Sequence, residues 1–191
     1  MIAVKRARST PLLFLLLGLM FGVTAALFKG EDWGARTIVG NLSAPWLVLP
    51  FVAGWSRRSF AAAAALGAAT SVLSVVGFYV CYALVFSLVN SHTVSTDVAV
   101  LVGGLVTGPV CGALGYWWRA RRSLAAGLAV GAAFLVEPLA QLVLGRVGQV
   151  PVGHTSVLAH PLVFALEALI GFAVCGWFVA ARLARGKPET T

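Results

Sequence analysis

Negative charge is nearly missing from this chain: 191 residues contain six Asp and Glu against 14 Lys and Arg. An Asp-rich motif that binds magnesium diphosphate is missing, as are a phosphate-cradling glycine loop, His-Glu-x-x-His and Gly-x-Ser-x-Gly. These gaps disfavour hydrolases and metal-dependent prenyl transferases. The three cysteines, Cys81, Cys111 and Cys175, lack metal-type spacing and fall in apolar stretches, so they read as buried, inert thiols. No metal and no cofactor is expected. Linkers and shifts of composition are lacking too, and residues 1–191 are read as a single transmembrane domain with loose ends at 1–9 and 186–191.

What fills the chain is hydrocarbon. It is 60% hydrophobic and 10% charged, more apolar surface than a soluble core of this size can hide, which makes the bilayer its solvent. Since about 20 apolar residues cross a membrane, six spans are expected, at residues 10–28, 37–55, 59–89, 97–118, 123–144 and 161–181. The basic, apolar N-terminal stretch lacks an Ala-x-Ala cleavage site and reads as an uncleaved first helix. The third stretch contains no polar turn, so Gly77 is read as a bend or a close contact within one helix.

Charge sets the orientation. Eleven cations fall on one side of this topology: Lys5, Arg6, Arg8, Arg57, Arg58, Arg119, Arg121, Arg122, Arg182, Arg185 and Lys187. Lys29, Arg36 and Arg146 fall on the other, and the positive-inside rule then puts both termini in the cytoplasm. The expected fold is all-α, an integral membrane bundle of six transmembrane helices in the cell inner (cytoplasmic) membrane. Topology and anionic headgroups account for the net charge of +8, and no nucleic-acid partner is called for.

Gly104, Gly108 and Gly112 recur every four residues and form a bare stripe for close helix packing, which makes the fourth helix central and offers a face for a homodimer. Gly127 and Gly131 repeat the device on the fifth helix, and Ala61–Ala65 give the third a smooth surface.

Two acids stand inside spans, Glu137 and Glu167. Ionisable residues there are costly and are functional candidates by default. Counting 1.5 Å per residue from the outer helix ends puts them about 12 and 9 Å deep, at one level. Asn41, Ser43, Tyr79, Tyr82 and Gln141 count to the same layer, and Pro138 frees the carbonyl of Phe134. Trp46, Phe134 and Phe164 are the expected walls, with Phe51, Phe78, Phe86 and Phe172 at neighbouring depths. The other tryptophans read as interfacial anchors, and His92, His154 and His160 as solvated loop residues. In apolar surroundings a carboxyl favours its protonated form, and two close together favour sharing a proton. Such a pair suits proton donation to a lipophilic substrate, proton-coupled transport, or a hydrogen bond that locks two helices.

The segment Gly40-Asn41-Leu42-Ser43-Ala44-Pro45-Trp46, with the chain's size and its Ala- and Arg-rich composition, resembles an uncharacterised family of small six-helix actinobacterial membrane proteins. That family includes bacterial membrane-bound terpene cyclases of diketopiperazine-terpenoid pathways. The resemblance implies metal-independent cyclisation started by protonating a prenyl chain, and the apolar surroundings alone assign Glu137 as donor, with Glu167, Asn41 and Gln141 tuning it. Trp46, Tyr79 and Tyr82 would stabilise cationic intermediates. Two alternatives stay open, the substrate-binding membrane subunit of a vitamin importer and a small proton-linked transporter. The expected partners are a lipophilic small molecule and the lipid bilayer.

Overall fold

The computed structural model describes residues 9–29, 45–86, 91–147 and 161–184, which form six helices and the turns between them. These are α1 (Ser9–Lys29), α2 (Pro45–Trp55), α3 (Phe60–Phe86), α4 (Ser91–Arg121), α5 (Leu124–Val147) and α6 (Pro161–Leu183). The described chain is all-α. Three stretches, Pro11–Lys29, Phe60–Val85 and Ala165–Leu183, are long and apolar enough to cross a membrane, while Pro45–Trp55 and Leu124–Val136 are apolar but shorter. These helices mark a membrane protein.

Helix ends follow local chemistry. Pro45 and Pro161 open α2 and α6, where a missing N–H is harmless. Ser59 and Ser123 cap α3 and α5, their hydroxyls accepting from the amides of Ala62 and Ala126 at 3.3 and 3.4 Å. Arg122 takes the left-handed backbone (φ 51°) that ends α4. α4 begins six residues before the expected span, because hydropathy bounds the lipid-embedded part of a helix while its hydrogen bonds run on through the polar stretch from Ser91. The expected starts at 37–44 and ends at 87–89 lie outside the described residues. Through Gly77 α3 is continuous, and a Cβ there would meet the carbonyl of Leu19 on α1, so Gly77 marks a close contact.

α3 is sandwiched between α1 and α4, α2 lies across α3 and α4, and α5 pairs chiefly with α6. Bare backbone makes these contacts. A Cβ on Gly22 would overlap the Ser74 carbonyl and stand 2.8 Å from the amide nitrogen of Phe78. One on Gly112 would collide with the Ala63 carbonyl and stand 3.2 Å from the Cα of Gly67. The glycine stripe of α4 thus packs against α3 of the same chain. α3 adds a buried polar trio, Thr70, Ser71 and Ser74, whose small side chains fit between the glycines of α1 and α4. The Ser74 hydroxyl donates to the Thr70 carbonyl at 2.9 Å, keeping one of these polar groups satisfied within its own helix.

Five helices, all but α2, turn large apolar side chains outward, among them Leu12 and Leu16 of α1, Leu84 of α3, Leu105 of α4, Leu139 of α5 and Leu169 of α6. The α5–α6 pair joins the rest through a core near the arginine-bearing ends, where Phe51, Cys111, Trp118, Ala126, Val130, Phe134 and Phe178 pack together. Trp118 meets Phe178 edge-on with ring centroids 4.5 Å apart. At the same end the Arg119 guanidinium donates through Nη1 to the carbonyls of Trp55 and Ser56, both at 3.1 Å, and so closes the end of α2.

Candidate functional site

α6 turns one face toward its partner helix. Glu167, Gly171, Val174 and Phe178 recur at helical spacing, and of these Glu167, Gly171 and Phe178 are buried. Glu167 is 1% exposed and is among the largest fully buried side chains, whereas its neighbours Leu166 and Leu169 are 58% and 67% exposed. A carboxyl on the lipid side would have been the costly arrangement, by about 2.5–3.5 kcal/mol at a span's centre. The sequence instead turns it into the helix interface.

The opposing face of α5 carries Gly127, Val130, Gly131 and Phe134, all buried. The register is fixed by close approaches. A Cβ on Gly127 would touch the ring of Phe178, one on Gly131 would stand 3.1 Å from the amide nitrogen of Cys175, and one on Gly171 would lie 2.9 Å from the side chain of Leu135. Continuing this antiparallel register brings residue 137 opposite residue 167. By helical spacing residue 137 also follows Val130 and Phe134 along one face. The backbone therefore puts the two acidic positions at one level of one helix pair.

For Glu137, Gln141 and Phe164 the helix backbone is described and the side chains lie outside the described residues, as Asn41 and Ser43 do entirely. Phe134 is 3% exposed and belongs to the core that joins α5 to α2, α4 and α6. Pro138 sits inside α5, where it leaves the Phe134 carbonyl without its helical donor.

Trp46, Tyr79 and Tyr82 come together in a second group, around Ala26, Phe78 and Cys81 at the ends of α1 and α3 and the start of α2. Phe78 is its hub: its ring lies 5.8 Å from Trp46, 5.3 Å from Tyr79 and 5.6 Å from Tyr82, the last in a stacked arrangement. Phe21 meets Trp46 edge-on at 5.1 Å. The Lys29 ammonium stands 5.4 Å from the centroids of both Phe78 and Tyr82, so these rings already hold a cation. The depth count grouped Trp46, Tyr79 and Tyr82 with the acids, and it did not single out Lys29 or the central place of Phe78. The signal was present, since Lys29 ends the helix whose Gly22 lies against Phe78.

Among the described contacts the two groups pack separately, the rings on α1 and α3 and the Glu167 face on α5. α2 contributes Trp46 to the ring group and packs Leu47 and Val48 against the core of Phe51, Trp118 and Phe178. No group of three or more His, Cys, Asp or Glu among the described residues gathers closely enough to hold a metal ion.

A family profile matches residues 2–189, nearly the whole chain. The chain belongs to DUF6518, a family of unknown function. No curated protein and no solved structure matches this DUF6518 chain.

Proposed function

We propose that this DUF6518 protein is a six-span protein of the cytoplasmic membrane with both termini inside, and that it works as a metal-independent terpene cyclase. The outward apolar side chains of five helices support the span count. Arg57, Arg58, Arg119, Arg121, Arg122 and Arg182, all at or just beyond the ends of α2, α4 and α6, support the orientation.

The observation that carries the catalytic reading is Glu167, a carboxyl enclosed between two apolar helices opposite the position of a second one. In its protonated form such a group is a hydrogen-bond donor in a site that keeps water away. The O–H of the Glu137–Glu167 pair, with Glu137 as donor and Glu167 tuning it, would give the proton to one carbon of a terminal alkene in a prenyl chain. The π electrons form the new C–H bond, the other alkene carbon becomes the cation, and a carboxylate remains. A second alkene of the same chain then closes the ring by attacking that cation, and loss of a proton to a base ends the sequence. The rings around Phe78 have the chemistry to face a cation, as their contact with Lys29 illustrates.

The importer reading is weakened by the same packing. A subunit that docks through small-residue faces needs them open, and Gly18, Gly22, Gly108 and Gly112 all meet other helices of this chain. The test is incubation of membranes containing the protein with prenylated substrates, followed by mass spectrometry. Cyclised products of unchanged mass are expected from the wild type and none from Glu167→Gln. Equal product from both would remove the reading.

A further inference from the structure

The seam between α4 and α5 is closed at one end only. On α4, Thr107, Cys111, Leu114 and Trp118 recur at helical spacing and so share one face. Cys111 and Trp118 are buried in one core with Ala126, Val130 and Phe134 of α5, and Leu114 packs against the same core. One turn outward the same face is bare: Thr107 is exposed, and a Cβ on Gly103 would meet nothing within 4 Å. The two helices therefore part beyond Cys111 and Phe134. α4 and α5 run antiparallel from the turn at 122–123, and equal steps from it bring Cys111 level with Phe134 and Thr107 level with Pro138. Pro138 is where α5 loses a backbone hydrogen bond and can bend away from its neighbour.

This cleft reaches the acids from the α4 side, because Pro138 adjoins residue 137, which the α5–α6 register sets opposite residue 167. Its surface suits hydrocarbon. The Thr107 hydroxyl donates to the Gly103 carbonyl at 2.8 Å, so it keeps its proton within its own helix, and Cys111 and Phe134 make an apolar floor. From Cys111 to Gly103 the helix rises about 12 Å. That is shorter than one leaflet of a hydrocarbon core of about 30 Å, the depth a phospholipid acyl chain fills. The bare backbone at Gly103 leaves width for methyl branches, and a chain that ends at this level presents its last alkene to the acids.

We propose that the α4–α5 cleft holds the prenyl tail of the substrate, drawn from the bilayer, with Gly103 and Thr107 setting the width it accepts. The assignment deepens the cyclase reading above and rests on it for the identity of the guest.

A prenylated photoprobe with a diazirine near the end of its tail, applied to membranes containing the full chain, tests the site. Peptide mass spectrometry of the wild type is expected to find the label between 103 and 111 on α4 and around Pro138 on α5. Thr107→Phe fills the cleft, and both this labelling and cyclised product should fall by about tenfold or more, as should those of Gly103→Leu. Val106→Phe, at a neighbouring position that is 59% exposed, should change either by less than about twofold. Label spread evenly over the outward faces of all helices would overturn the site, and so would equal labelling of the wild type and Thr107→Phe. Competition by an excess of straight-chain phospholipid as strong as that by unlabelled prenylated substrate would overturn the prenyl assignment. A wild type labelled in the cleft but yielding no cyclised product would instead overturn the cyclase reading and leave the cleft standing as a prenyl site.

Discussion

The aromatic group around Phe78 and the carboxyl face around Glu167 are built by different helices and by different means. The first is a set of large rings gathered where α1 meets α3, with a lysine resting on it. The second is a narrow seam of glycines and a cysteine that ends in a buried acid. Depth follows from counting along a helix, but lateral position depends on which helices pair. Two layers that coincide in depth are therefore one pocket only if packing also brings them together, and here α2 joins the ring group to the core of Phe51, Trp118 and Phe178.

The largest expected effect comes from breaking the seam that builds the aromatic group. A side chain at Gly22 has no space beside Ser74 and Phe78, so Gly22→Leu should destabilise by on the order of 3 kcal/mol or prevent folding. At Gly103 a Cβ meets nothing within 4 Å, so Gly103→Ala should be close to neutral. Thermal unfolding in detergent checks both, and an undisturbed Gly22→Leu would mean that α1 does not approach α3 as closely as described.

Phe78→Ala should follow, costing about 3 kcal/mol for removal of a large buried ring. It also sharpens the comparison directly. If the aromatic group and the carboxyl face are energetically separate, the effects of Phe78→Ala and Glu167→Gln on stability should add to within about 0.5 kcal/mol. A larger coupling in the double variant would join the two into one pocket. The smallest effect is expected at Lys29, where Lys29→Gln removes a cation from two rings and should cost about 0.5–1 kcal/mol. A loss far above that range would give Lys29 a role beyond the rings.

Much of this was legible in residue order. Apolar run length pointed to the helices, and Gly127 and Gly131 announced a close approach to α5. What could not be read was partner choice. The stripe at Gly104, Gly108 and Gly112 states that something comes close, and only the fold shows Ala63 and Gly67 of α3 against it. Arg57 and its exposed neighbours are likewise identical by composition. They differ by burial, which depends on how α4 closes over the end of α2.

The central claim is that Glu137 and Glu167 act as one unit. Initial rates of cyclised product from Glu137→Gln, Glu167→Gln and the double variant test it most directly, because groups that act together are non-additive. Each single variant is expected to lose nearly as much rate as the double. Losses that multiply would make the two carboxyls independent, and product at wild-type rates from both single variants would contradict the claim outright.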